Sequence, residues 1–159
     1  KTNLVMRKEI MPAISVIDDI VIQAPAQLIF EVIADYNNFA SWCPDYNCTI
    51  QGADKITVGA KVDHCLGKPP FTSEFVREIK SIDMPNRIDE AYVSGALVGT
   101  GSWIFTEEGS GTRVAYDCQV DGTGMMMKIA MKLFGTPAHS KVYQNILNSL
   151  KSHCEAKVS

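Results

Sequence analysis

The chain has 159 residues, of which 46% are apolar, enough to bury a substantial core and to favour one compact domain. Its 15 basic residues stand against 18 acidic ones without a basic block, so direct nucleic-acid binding is disfavoured. No apolar run approaches the roughly 18 residues that a membrane span needs.

Five cysteines are scattered through the chain without a spacing typical of zinc sites or disulfide frameworks. They are Cys43, Cys48, Cys65, Cys118 and Cys154. We therefore expect reduced thiols, a cytoplasmic location, no metal site and no other cofactor. Residues 1–13 are basic but lack the apolar stretch of a signal peptide, so we interpret them as an N-terminal arm or an artificial remnant. A single domain is predicted for residues 14–156.

The N-terminal part of the domain predicts a strand followed by helices. Residues 14–22 are β-branched and alternate in polarity, which is typical of a strand. Pro25 suits the first turn of a helix, because its missing N–H has no partner there in any case. An apolar stripe follows at helical spacing, formed by Ile29, Phe30, Ile33 and Tyr36. After Asn37 and Asn38, residues 39–42 predict one more short helical turn.

From residue 46 the pattern changes to strict alternation. Six segments alternate in polarity or are bounded by turn residues: 46–51, 61–66, 71–80, 87–94, 97–106 and 113–120. This pattern predicts an antiparallel meander of six strands. Because every second side chain of a strand points to the same face of the sheet, one set of side chains should face a helix. This set comprises Ile50, Val62, Leu66, Phe71, Phe75, Tyr116 and Cys118.

Residues 123–157 return to helical spacing. Gly135, Thr136 and Pro137 interrupt this pattern, with Thr136 suited to an N-cap and Pro137 to the first helical position. We therefore expect two stacked or bent helical pieces.

The order of elements and several short motifs resemble the START-like (SRPBCC) helix-grip superfamily, which includes polyketide cyclases, Bet v 1 allergens and lipid-transfer domains. The motifs are Ala24-Pro25 opening a helix with Phe30 and Val32, the pair Asp35-Tyr36, Phe39 with Trp42, the run from Gly101 to Phe105, and the run from Gly111 to Val114. The stretch from Tyr36 to Cys43 is similar to the coenzyme-Q-binding and ribosome-association-toxin branch.

This resemblance implies an α+β, Bet v 1-like fold. A curved antiparallel sheet would wrap around a long C-terminal helix, two short helices would follow the first strand, and a tunnel for an apolar ligand would lie between sheet and helix. The resemblance alone does not decide the function.

Two polar residues have the parity of the concave face. Arg77 must pair or be solvated there, so it either orients a ligand oxygen or forms a salt bridge at the sheet edge with Glu90 or Asp89. His64 either carries protons, with Tyr92 among its possible partners, or is a hydrogen-bonded core residue. Arg77, His64 and Tyr92 are the catalytic candidates. His139 and His153 are interpreted as solvated helix residues.

The start of the C-terminal helix is rich in methionine. Met125, Met126, Met127 and Met131, with Phe134, either form a deformable gate over the tunnel or pack against the sheet. At least one of the three consecutive methionines must be exposed. The ligand-binding residues that we predict are Tyr36, Trp42, Ile50, Val62, His64, Leu66, Phe71, Phe75, Arg77, Trp103, Tyr116, Cys118, Met127, Met131 and Phe134.

Three functions remain open at this point. The favoured one is a non-catalytic carrier or chaperone for a hydrophobic small molecule such as a polyprenyl quinone, a lipid or an aromatic polyketide, because no convincing acid–base constellation is present. The second is an aromatase/cyclase-like enzyme, a cyclase or dehydratase, using Arg77 and either His64 or Tyr92. The third is a protein-interaction module that docks through an exposed Trp42 loop or a helix face. Transient membrane contact is compatible with all three.

Overall fold

A computed structural model describes residues 11–159, so the predicted N-terminal arm lies largely outside the described residues. The strands are β1 (Ile14–Ile22), β2 (Tyr46–Ile50), β3 (Lys61–Lys68), β4 (Phe71–Asp83), β5 (Arg87–Gly95), β6 (Leu97–Glu108) and β7 (Gly111–Gly122). The helices are α1 (Ala26–Ala34), a 3₁₀-helix (Tyr36–Ser41) and α2 (Met125–Val158). This order of elements is the predicted one.

The seven strands form one antiparallel sheet in the order β1-β7-β6-β5-β4-β3-β2. The two short helices carry the chain from β1 at one edge to β2 at the other, and hairpins then return it strand by strand to β7 beside β1. The sheet curls into a half-barrel around α2, which packs against β1 and β7. The predicted α+β helix-grip fold is therefore confirmed.

The first helix buries one face against the sheet. Pro25 is its N-cap, one position earlier than expected, and the buried residues Ile29, Phe30 and Ile33 lie at the spacing of an amphipathic helix. The ring of Phe30 packs edge-on against Phe105 of β6 at 5.5 Å between centroids. This contact fixes α1 across the sheet.

The expectation of two C-terminal helical pieces is wrong, because α2 is continuous and contains Pro137 in its interior. Proline removes one helical hydrogen bond, but side chains buried on both sides of it favour a continuous helix. Met131 is buried before the proline and Tyr143 after it. Gly135 allows close approach to β1, since a Cβ there would lie 3.1 Å from Ile14 Cδ1.

Within residues 11–159, no helix combines the length and the apolar character needed to cross a bilayer.

Candidate functional site

The centre of the concave face is a polar cluster around Arg77. Its guanidinium is 1% exposed; Nη1 donates to Glu90 Oε2 at 3.0 Å. Nη2 donates to the hydroxyl of Tyr92 at 2.8 Å and to that of Tyr143 at 2.7 Å. Strands β4 and β5 supply three of these groups. Arg77 pairs with Tyr92 and Ile79 with Glu90 in one regular stretch between two register shifts, so Arg77, Glu90 and Tyr92 lie on the same face.

Aromatic rings enclose the same guanidinium. Its central carbon lies 5.0 Å from the ring centroid of Phe75, 4.7 Å from that of Tyr92 and 5.3 Å from that of Tyr116. Desolvated cation–π contacts of this kind stabilise a buried cation beyond what its ion pair contributes. Arg77 is therefore held as a buried positive charge.

The Arg77–Glu90 pair is the salt bridge considered from the sequence, but it lies at the centre of the sheet instead of its edge. Asp89 points to the other face and accepts a hydrogen bond from Arg87 Nε at 2.7 Å. The second oxygen of Glu90 accepts a hydrogen bond from the hydroxyl of Tyr36. Burial raises the pKa of Glu90 and Arg77 opposes that rise. The cation and its carboxylate together bring no net charge into the core.

His64 forms a second polar group beside the first. Its Nδ1 lies 2.7 Å from the hydroxyl of Tyr46 and 3.3 Å from Cys48 Sγ, and its ring stacks on Phe75 with centroids 5.0 Å apart. Burial, assisted by the charge of Arg77, lowers the pKa of His64, so the imidazole is neutral near pH 7. Among the described residues, neither His64 Nε2 nor Arg77 Nε has a hydrogen-bond partner.

The middle of the space expected to be a tunnel is occupied by side chains. Tyr143 from α2 stacks on Tyr116 with centroids 4.3 Å apart and planes 6° from parallel, and Trp103 contacts Tyr116 at 4.8 Å. Glycine makes this packing possible, because a Cβ on Gly101 would lie 2.0 Å from the hydroxyl oxygen of Tyr116.

A mostly apolar cleft remains at the open edge between β3 and α2. It has a volume of about 270 Å³ and is lined by Cys43, Leu66, Val142 and Ile146, with Asp45, Asn145 and Ser149 among its polar residues. A cleft of about 430 Å³ reaches His64 from the other side of β2–β4. Among residues 11–159, no group of three or more His, Cys, Asp or Glu side chains is arranged to hold a metal ion.

Most residues predicted to line a ligand site are buried in the interior. They are Tyr36, Trp42, Ile50, Val62, His64, Phe75, Arg77, Trp103, Tyr116, Cys118 and Met131, and Leu66 is half-buried.

Three predicted lining residues are not enclosed: Phe71 is 88% exposed, Phe134 71% and Met127 40%. The inward position expected for Phe71 is wrong. Gly95, the last residue of β5, pairs with Phe75, but β4 begins four residues earlier, at Phe71. Phe71 therefore extends past the end of β5. The expected exposure of at least one N-terminal methionine of α2 is confirmed by Met125 and Met126.

Two further expectations need correction. Trp42 is 7% exposed and packs on Phe39 at 4.8 Å between centroids, so it does not form an exposed docking loop. His139 is not solvated: it stacks on Tyr143 at 4.5 Å, with its Nδ1 3.7 Å from a carboxylate oxygen of Asp18. Burial lowers the pKa of His139 to about 4.

Sequence reasoning missed Tyr143, the contribution of α2 to the cluster. The available signal was helical spacing, because Tyr143, Ile146 and Leu150 fall on one stripe and are all buried. Its partner Arg77 is 66 residues away, so no local pattern joins the two.

A family model described as polyketide cyclase/dehydrase and lipid transport matches residues 13–155. The chain belongs to this family. Among solved structures of similar fold, a protein from Thermus thermophilus has a TM-score of 0.76 at 17% identity, covering 92% of this chain and 100% of its own. A START superfamily protein from Mycobacterium smegmatis has a TM-score of 0.72 at 13% identity, with coverage of 89% and 97%.

The ginseng major latex-like protein 151 from Panax ginseng has a TM-score of 0.71 at 12% identity, covering 88% of this chain and 96% of its own. At these identities the likeness establishes the fold alone. Among curated protein sequences, none matches this chain significantly. Membership of the polyketide cyclase/dehydrase family, together with the fold, suggests binding of a hydrophobic ligand or cyclase-like activity.

Proposed function

We propose that this protein binds a hydrophobic small molecule, such as a polyprenyl quinone, a lipid or an aromatic polyketide, between the sheet and α2 and acts as its carrier or chaperone. One observation supports this proposal above others: a cleft between β3 and α2, lined by Leu66, Val142 and Ile146, remains open at the edge of the half-barrel. The five free cysteines suit a reducing compartment such as the cytoplasm.

The cleft between β3 and α2 provides the apolar part of the site. Its volume of about 270 Å³ is close to the lower end of small-molecule pockets, about 300 Å³. Leu66, Val142 and Ile146 supply its apolar lining. Burying the apolar part of a ligand there contributes about 25 cal/mol per Å².

The polar cluster provides the other part of the site. Leu66 of the cleft pairs with Tyr46 across β2 and β3, and the hydroxyl of Tyr46 contacts His64 in the interior. In the same interior, Arg77 Nε has no partner among the described residues. A ligand oxygen that accepts from this N–H or from a tyrosine hydroxyl would satisfy a buried donor. The preferred ligand therefore combines an apolar body with a carbonyl or phenolic oxygen.

A ligand larger than the cleft requires α2 to move, and the helix is suited to this. Between residues 125 and 142, Met131 is the one buried side chain, whereas Tyr143, Ile146, Leu147, Leu150 and Cys154 are all buried in the second half. Segments with few buried apolar contacts open at lower free energy than the rest of a domain. The N-terminal half of α2 is thus the part that we expect to shift when the ligand enters.

Extraction and titration test the proposal. Purified protein is extracted with organic solvent for mass spectrometry, and a panel containing a short-chain quinone, a fatty acid and a polyhydroxylated aromatic is titrated by calorimetry. Leu66→Trp should fill the cleft and weaken binding at least tenfold, whereas Leu97→Trp, which alters another half-buried leucine on β6, should bind as the parent does. Absence of any ligand in both assays, or unchanged binding by Leu66→Trp, would overturn the proposal.

A cyclase-like enzyme is the second candidate, and one observation favours it. His64 is neutral, buried and free at Nε2, so it is available for proton transfer beside an arginine that could hold a substrate oxygen. In that case His64→Gln and Tyr92→Phe should abolish turnover of a poly-β-keto substrate and leave its binding intact. A carrier shows binding without turnover, so the same experiment distinguishes the two functions.

A further inference from the structure

The first three turns of α2 expose an apolar face. Exposed fractions are 80% for Met125, 87% for Met126, 55% for Ile129, 68% for Leu133 and 71% for Phe134. Single exposed apolar residues are common on proteins, but a contiguous group of large ones marks an interaction surface.

This face is separate from the one that contacts the sheet. Met126, Ile129 and Leu133 follow the i, i+3, i+7 spacing of one helical stripe. Met131 and Gly135 lie on the opposite side, where Met131 is buried and Gly135 meets Ile14 of β1. Within residues 11–159, the exposed stripe therefore contributes nothing to the core and is available to bind a partner.

Charge along the chain identifies the kind of partner. The whole protein has a net charge of −3, yet no Asp or Glu occurs between residues 122 and 154, a stretch that contains Lys128, Lys132, Lys141 and Lys151. Lys128 and Lys132 are exposed and lie one turn apart within the apolar segment. A helix with large apolar side chains and lysines beside them is the type that lies in the interface of an anionic bilayer.

The β3–β4 hairpin lies at the end of the sheet where α2 begins and adds a second exposed apolar group there. Leu97 at the start of β6 pairs with Gly122, which ends β7 just before α2, and Gly95 at the end of β5 pairs with Phe75. Phe71, at 88% exposed, extends beyond that pairing, whereas Lys68 Nζ lies 3.8 Å from a carboxylate oxygen of Asp45. The hairpin thus presents an exposed aromatic ring at the end where α2 begins.

We propose that Met126, Ile129 and Leu133, flanked by Lys128 and Lys132, form a docking face for an anionic lipid surface. A second copy of this chain fits less well, because a two-fold interface would bring two sets of lysines together and lysine is depleted from protein interfaces. The inference does not depend on the ligand site. If both hold, docking places the N-terminal half of α2 against the bilayer from which a hydrophobic ligand would be taken.

Vesicle sedimentation of the full chain, without added ligand, tests the docking face. The protein should pellet with vesicles of phosphatidylcholine and phosphatidylserine, more weakly with phosphatidylcholine alone, and less as salt rises. Lys128→Glu/Lys132→Glu should reduce partitioning at least about 25-fold, since each lysine near the surface contributes a factor of about 5. Ile129→Glu/Leu133→Glu should abolish it.

Matched variants carry the same changes elsewhere on the surface. Lys55→Glu/Lys157→Glu changes the net charge equally, and Ile17→Glu/Val58→Glu replaces two other exposed apolar residues. Both should pellet like the parent chain, and all variants should keep its circular dichroism spectrum. The proposal is overturned if the parent does not bind anionic vesicles, if the matched variants lose binding as the α2 variants do, or if Ile129→Glu/Leu133→Glu converts a dimer in solution to a monomer.

Discussion

Replacing Arg77 with methionine should destabilise the protein severely, because the change leaves a buried acid without its partner. Methionine retains most of the side-chain volume but removes the donors to Glu90, Tyr92 and Tyr143. Breaking a buried ion pair on one side costs about 3–5 kcal/mol. Since domains of this size are stable by about 5–15 kcal/mol, the variant should remain folded only marginally.

The double variant Arg77→Met/Glu90→Gln should recover part of this loss. Glutamine is neutral and can still accept the hydrogen bond that Tyr36 donates to Glu90. Neighbouring residues in one network typically couple by up to about 3 kcal/mol, and we expect a value near that limit here. The double variant should therefore be more stable than Arg77→Met although it carries one more substitution.

The effect should also depend on pH, with a defined sign. Burial raises the folded-state pKa of Glu90 even with Arg77 present, and removing the cation raises this pKa further. A group whose pKa rises on folding stabilises the fold below its unfolded pKa, about 4.3 for glutamate, and this contribution is lost as pH rises through the folded value. The stability of Arg77→Met should therefore be closest to that of the parent below about pH 4.3. Between that pH and the folded-state pKa of Glu90, its free energy of unfolding should fall by up to about 1.4 kcal/mol per pH unit.

Urea unfolding at pH 5 and pH 8, followed by far-ultraviolet circular dichroism, measures all three proteins. We expect the deficit of Arg77→Met to be larger at pH 8 and the double variant to lack that difference. Equal deficits at both pH values, with no recovery in the double variant, would show that Glu90 is not the charged partner of Arg77 and would refute this account of the cluster.

Three other changes test the packing around the cluster. Gly101→Ala should lower the free energy of unfolding by about 1–3 kcal/mol in urea melts, because its Cβ would overlap Tyr116, whereas Gly124→Ala, whose Cβ meets nothing within 4 Å, should cost less than about 1 kcal/mol. Pro137→Ala should stabilise α2 by about 1–2 kcal/mol by restoring a helical hydrogen bond, with a higher melting temperature as the readout. Because the folded-state pKa of His139 is lowered to about 4, protonation of this side chain should reduce the free energy of unfolding of the parent by roughly 3 kcal/mol as pH falls from 6.5 to 4. His139→Phe should flatten this part of the pH–stability curve.

The sheet could be predicted from the sequence because its signals are local. The first strand has the predicted bounds, Ile14–Ile22, and each later strand coincides with an alternating or turn-bounded segment. One face of this sheet is buried, so alternation directly reports which side chains face inward. Phe71 departs from this rule because it extends past the neighbouring strand.

The continuous C-terminal helix could not be predicted in this way. Gly135 and Pro137 are strong local signals for a helix end, and their expected effect is outweighed by contacts to β1 and β7 that only the folded chain provides. Glycine at residue 135 serves the approach to Ile14 instead of a helix terminus.

The candidate site was partly visible from the sequence. Parity placed Arg77 on the concave face and the need to pair a buried cation suggested Glu90, and both hold. Parity does not say how full the space in front of Arg77 is. That depends on Tyr143, which arrives from α2 and stacks on Tyr116.

The composition of the cluster bears on which ligands are suitable. A buried ion pair adds little stability compared with apolar residues of the same volume, so a protein that bound pure hydrocarbon would gain nothing from keeping Arg77 and Glu90 under its helix. A site that must distinguish an oxygen-bearing ligand from an alkane does gain, because the wrong ligand leaves buried donors unpaired. For the proposed carrier, the buried Arg77 therefore favours quinone-like or polyketide-like ligands over simple acyl chains, and we expect the calorimetric panel to rank them in that order.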